Sequence, residues 1–200
     1  MPTDANGRHA DHPINPIFLE RWSPRAFDGQ PIPEADLMTM LEAARWAPSS
    51  YNSQPWRFLY AIKGDAHWDK FLNLLFDGNK SWCKDAGALL VLVSDSLMSI
   101  PGKEGKVPSH SHSSDAGCGW GYLALQAAMM GYQAHSMVGF DIQRAFAELN
   151  LPEGHRVESM IAVGRRGDPA KLNDMQRSME KPNTRKPLSE VVMNGGFTPR

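Results

Sequence analysis

The chain has 200 residues, 42% of them apolar, and its 21 Lys and Arg nearly balance 22 Asp and Glu, so it can bury one substantial core but has no global charge with which to hold nucleic acid or an anionic membrane. No apolar run approaches the roughly 20 residues needed to cross a bilayer, and two cysteines, Cys83 and Cys118, are too few and too far apart for a disulfide framework. A soluble, cytoplasmic protein is the resulting expectation, with both thiols buried and inert.

Residues 1–16 are polar, rich in Asn, Asp, His, Gly and Pro, and lack the apolar core of a signal peptide, so they are expected to form a flexible arm ahead of a single domain over 17–200. Next comes Arg21-Trp22-Ser23-Pro24-Arg25-Ala26-Phe27. Its two guanidinium forks around a hydroxyl suit a phosphate, although an exposed basic turn has the same composition. Leu37, Met40, Leu41 and Ala44 fall at i, i+3, i+4 and i+7, the buried stripe of a helix that Pro48 ends. The connector from Ala47 to Trp56 combines hydroxyls, two side-chain amides and aromatics before a strand over 57–62. Backbone N–H groups and short polar side chains in such a loop can face a ligand; turns also select these residues for backbone reasons.

Trp68, Phe71, Leu72 and Leu75 give 67–76 a helical pattern. The unbroken run Ala88–Val93 predicts a central strand covered on both faces. Residues 99–114, rich in Gly, Lys, Pro, His and Ser, read as a loop, either a lid or an arm across a partner subunit. His110 and His112 lack further ligands at metal spacing and read as solvated loop residues. Asp115 is expected to cap a second long helix that ends at Met130 before Gly131. Gly117, Gly119 and Gly121 do not match the dinucleotide fingerprint; with Ala116 and Ala124 they would let another helix approach closely, with a dimer contact among the options. A short helix over 142–149 and an apolar strand over 157–163 follow. No Gly-x-Ser-x-Gly elbow supports a Ser-His-Asp triad. The order of elements implies a layered α/β or α+β domain.

In their order and separation, Arg21, Ser23, Arg25 and Phe27, then Pro48, Ser49, Ser50, Asn52, Gln54, Pro55 and Trp56, resemble the flavin-binding pattern of the nitroreductase family. The likeness runs from about Phe18 to Val192 and is most specific in the first third. It implies an α+β fold with a central mixed β-sheet flanked by helices, built as an intertwined homodimer with two flavin mononucleotide (FMN) sites at the interface. Arg21, Ser23 and Arg185 are then expected at the phosphate, with Trp22 in the same motif, and Arg25 and Asn79 at the pyrimidine edge. Pro48, Ser49, Ser50 and Asn52 would meet the cofactor from the other subunit. Ser136, Met137, Val138 and Gly139 would pass against the ring, with the Val138 backbone N–H toward N5. Two positions depart from the family pattern: Trp82 stands where many members carry Lys, and Val138 where several carry Glu.

The implied activity is hydride transfer from NADH or NADPH, followed by reduction of a nitroaromatic, quinone or other conjugated electrophile in a ping-pong cycle. No side chain is expected to act covalently and no metal is expected, since the cofactor carries the electrons. The alternatives are a flavin-binding or storage protein, or a specialised flavin-site enzyme of the same fold without general reductase activity.

Overall fold

The computed structural model of the chain describes residues 3–197; residues 1–2 of the arm and 198–200 of the domain lie outside them. The chain opens with a hairpin, β1 (Thr3–Ala5) and β2 (Arg8–Ala10), one helical turn, α1 (Ile17–Glu20), and the helix α2 (Glu34–Arg45). A strand, β3 (Trp56–Ile62), leads through α3 (Trp68–Leu74) and α4 (Asp77–Cys83) to β4 (Ala88–Asp95). A small hairpin, β5 (Leu97–Ser99) and β6 (Lys106–Pro108), precedes the long helix α5 (His112–Met129). Then come β7 (Gln133–Met137), α6 (Ile142–Glu148), β8 (His155–Gly164), and the short helices α7 (Asp174–Ser178) and α8 (Leu188–Val191).

Four strands form the central sheet in the order β3-β4-β8-β7. All eight residues of β4 are buried, as its unbroken apolar run predicts, and the period of two divides them between two cores. Leu89, Val91 and Val93 pack with Trp68, Phe71, Leu74, Phe140 and Met160 on one face. Ala88, Leu90 and Leu92 pack with Leu37, Met40, Ala44, Leu123 and Ala127 on the other. The sheet is antiparallel at each of its three pairings, rather than the expected mixture. The physical reason lies in the connections: the α3–α4 segment leaves after Ile62 and re-enters at Ala88, its register partner, so the chain returns at the end it left. The α6 connection between β7 and β8 does the same.

The stripe of α2 is buried as expected, and the helix stops at Arg45 ahead of Pro48. It packs on α5 at Gly119, where a Cβ would lie 3.6 Å from the Ala44 carbonyl and the Trp56 ring. The small residues of α5 therefore serve different faces: Gly119 meets α2 and β3, whereas a Cβ at Gly117 or Gly121 would meet nothing within 4 Å.

Several local expectations change. The polar arm carries the β1/β2 hairpin, turned at Asn6 and Gly7 with φ of 55° and 69°, the left-handed pair favoured in two-residue hairpin loops. Part of 99–114 is also a hairpin. The long helix begins at His112, with Ser111 in the cap position, so Asp115 is not its cap. Asp115 is buried inside the first turn instead, and its Oδ2 accepts from Ser111 Oγ (2.9 Å) and from the backbone N–H of Ser50 (3.2 Å). The earlier start also turns His112 toward the sheet. Its Nδ1 lies 2.7 Å from Ser94 Oγ, which in turn donates to Glu158 (2.6 Å), so His112 is not solvated, while His110 is exposed. Cys83 is buried and its thiol pKa is pushed well up by burial; Cys118 is exposed, because α5 turns that position outward. Among the described residues no helix is long and apolar enough to cross a membrane.

Candidate functional site

Sequence-distant cations converge on one depression of about 160 Å³. Arg21 and Arg25 come from the segment after α1, Arg8 from β2, and Lys181 and Arg185 from the chain after α7, with Ser23, Trp22 and His135 completing the wall. Among the described residues no Asp or Glu side chain lines it. The charges repel: burial lowers the Arg21 pKa, and nearby Arg185 lowers it further; burial, then Arg185 and Arg21, do the same to Arg8. A guanidinium stays protonated under such pressure, so an anion bound there would relieve the repulsion. Arg21 Nη1 also reaches Ser23 Oγ at 3.4 Å, which draws the hydroxyl into the same cluster.

The backbone beneath this cluster is pinned from afar. The Glu180 carboxylate accepts from the Arg25 N–H (2.9 and 3.0 Å to its two oxygens) and the Ala26 N–H (2.9 Å). Gly167 N donates to the Ala26 carbonyl at 2.8 Å, and a Cβ at Gly167 would overlap the Phe27 carbonyl. Trp22 is buried, with the Arg166 guanidinium 5.3 Å from its ring centroid. His135 has its Nδ1 2.9 Å from the Pro24 carbonyl, and its pKa is lowered first by burial, with Arg25 adding to the effect. Trp82 is not a surface departure from a basic site. It is buried, 6.2 Å from Phe27 and 4.8 Å from His135 between ring centroids, and so acts on the depression only through His135.

Arg21 and Ser23 also border a second depression of about 380 Å³, walled by Phe18, Trp120, Gly121, Ala124, Leu125 and Ser136. Ser136 is thus brought to the site, but Met137 alternates inward: it is buried, with its sulfur 3.5 Å from that of Cys83, so its side chain cannot meet a ligand there. Val138 is 73% exposed at the end of β7. Asn79 donates from Nδ2 to the Gly139 carbonyl at 3.1 Å, and a Cβ on Gly139 would sit 2.5 Å from that nitrogen. Asn79 and Gly139 are therefore one unit.

Pro48, Ser49, Ser50 and Asn52 line neither depression. Their loop is nevertheless built to a shape. Tyr51, Asn52 and Gln54 have φ of 51°, 51° and 47°, a region in which non-glycine residues cost roughly 1 kcal/mol or more each. Ser49 Oγ accepts from Gln54 N (3.0 Å) and Asp115 holds Ser50, so the surrounding structure enforces this geometry, while Trp46 and Tyr51 stand 70% and 63% exposed beside it.

Sequence reasoning missed Arg8, Lys181 and Glu180. The Asn6-Gly7 pair was the available signal for a structured arm, and with it for Arg8. Nothing local marks Glu180, whose partners lie 154 and 155 residues away.

The model of the nitroreductase family matches residues 19–81, the span that holds Arg21 to Phe27, the 47–56 loop and Asn79. A solved structure described as an oxidoreductase containing FMN is 44% identical, with a TM-score of 0.95, covering 99% of this chain and 100% of that one. A protein of Thermus thermophilus named NADH dehydrogenase is 28% identical over 73% of this chain and 83% of its own length. A putative nitroreductase from Desulfovibrio desulfuricans, solved in complex with FMN, shares the fold at a TM-score of 0.70 and 21% identity, over 93% of this chain and all of its own.

Proposed function

The chain belongs to the nitroreductase family, and we propose that it is an FMN-dependent oxidoreductase that takes hydride from NADH or NADPH and reduces nitroaromatics, quinones or other conjugated electrophiles. The observation that carries this reading is the convergence of Arg21, Ser23 and Arg185 in a depression with no acidic side chain, which fits a dianionic phosphate. The relative that is 44% identical contains FMN. When bound, the flavin would supply the two-electron chemistry of hydride transfer between nicotinamide and acceptor.

The chain's own residues would bind and tune. Arg21, Ser23 and Arg185 hold the phosphate. Arg25 supplies the positive charge at the pyrimidine edge, because burial opposes protonation of the neighbouring His135. Asn79 commits its Nδ2 to the Gly139 carbonyl, which would leave its Oδ1 as the acceptor for a pyrimidine N–H. Val138 offers only a backbone donor, and the nearest carboxylate at that turn, Asp141, is committed to capping α6 through the Arg144 N–H (2.9 Å), so a proton for the acceptor would come from solvent. The 48–52 loop reaches the cofactor from a second copy, since within one chain it lines neither depression, and exposed Trp46, Tyr51 and Met129 are apolar surface for a homodimer. Donor and acceptor would use one open flavin face in turn, in a cytoplasmic setting.

An anaerobic titration tests this. NADH or NADPH should bleach the holoprotein's flavin absorbance, and a quinone or nitro compound should restore it. If neither nicotinamide bleaches the flavin, the reductase reading fails and the flavin-storage alternative, which Val138 in place of a Glu favours, takes its place. A colourless protein that takes up no FMN rules out both.

A further inference from the structure

We propose that Arg8, carried on the N-terminal hairpin, is an additional phosphate-binding residue of this site, so that the arm is a clasp that retains FMN. The inference rests on the FMN reading above. Arg8 lies on β2 between exposed residues and turns inward to line the cationic depression with Arg21, Ser23 and Arg185. Its Nη1 donates to the carbonyls of Leu19 (3.0 Å) and Arg21 (2.8 Å), which fixes the guanidinium over the Arg21 segment. Its Nε–H is closed off from solvent and has no partner among the described residues, an expensive state for a charged donor that a small shift of the side chain toward a ligand oxygen would relieve. Contacts independent of the site hold the hairpin in place: Asn6 Nδ2 donates to the Glu20 carbonyl (3.1 Å), and Thr3 Oγ1 both donates to the Ile14 carbonyl (3.0 Å) and accepts from the Ile14 N–H (3.1 Å). The arm is thus tied at its tip to Glu20 of α1 and closed on itself at its base, with one cation directed at the anion. A neutral ligand end would leave that cation facing Arg21 and Arg185 unrelieved, so Arg8 should discriminate a phosphorylated flavin from an unphosphorylated one.

The test compares FMN and riboflavin binding to the full-length apoprotein by flavin fluorescence quenching, in wild type, Arg8→Gln and Arg8→Lys. Gln keeps a donor for the two carbonyls and loses the charge; Lys keeps the charge. Arg8→Gln should weaken FMN binding by about 10- to 100-fold, leave riboflavin binding within about twofold and flatten the salt dependence of FMN binding, while Arg8→Lys should recover most of the loss. The proposal is overturned if Arg8→Gln binds FMN like wild type, if FMN and riboflavin weaken together, or if Arg8→Lys is as weak as Arg8→Gln, since the arginine would then act only as a backbone brace. These outcomes are distinct from failure of the underlying reading, in which the wild-type protein itself would not prefer FMN to riboflavin.

Discussion

Replacing Glu180 by Gln should destabilise the protein although the side chain keeps its shape. The carboxylate serves two backbone donors with two oxygens, at 2.9 to 3.0 Å. Gln offers one oxygen, and its NH₂ group must then face an amide N–H. Placed at Oε1, which accepts from both N–H groups, that oxygen keeps both bonds, but each weakens from a charge-assisted bond of about 1.5–3 kcal/mol to a neutral one of about 1 kcal/mol, and the second contact of the Arg25 N–H, with Oε2, is lost. Because Glu180 is partly exposed, water offsets some of this, and the lower part of the range, about 2 kcal/mol, is the expected loss. For a chain of this length that lowers the thermal midpoint of the apoprotein by about 4–8 °C. Circular dichroism melts at fixed protein concentration would measure it. A midpoint within about 1 °C of wild type would refute the assignment of Glu180 as the tie between the Arg21–Phe27 segment and the chain after α7.

Arg21→Ala should weaken FMN binding by about 1.5–3 kcal/mol, roughly 10- to 150-fold, and spare riboflavin; equilibrium titration with both flavins checks it, and unchanged FMN affinity removes Arg21 from the phosphate site. Gly167→Ala should cost about 2–4 kcal/mol, because the new Cβ overlaps the Phe27 carbonyl and forces apart the Gly167–Ala26 and Asp28–Arg165 backbone bonds; a wild-type urea midpoint would contradict this. His135 has a folded pKa below its unfolded value of about 6.5, so the folded state binds fewer protons than the unfolded one. Its neutral, buried form favours folding above about pH 6.5, and that stability falls away as the pH drops from there toward the folded pKa. His135→Gln should therefore flatten the acid limb of apoprotein stability below pH 6.5, which chemical denaturation at a series of pH values would show; an unchanged slope would exclude His135 as its source.

Local pattern determined much of this protein. The unbroken apolar run at Ala88–Val93 specified a central strand, the Leu37–Ala44 stripe specified α2, and Pro48 set its end, because periodicity and proline geometry act within a few residues. The same local chemistry marked Arg21, Ser23 and Arg25, and Arg185 drew attention through resemblance alone. Tertiary structure decided what these residues share. It brought Arg8, Arg21, Lys181 and Arg185 to one depression, turned Met137 into the core and Ser136 toward the site, and set Asp115 to hold Ser50 rather than cap a helix. Trp82 looked from its position like a change at the flavin and proved to be core packing behind His135. In each case the deciding interaction joins segments far apart in the chain. A charged or polar side chain carries no local sign of its distant partner, so its neighbours are fixed only when the two cores close around the sheet and bring segments such as β2 and the chain after α7 together.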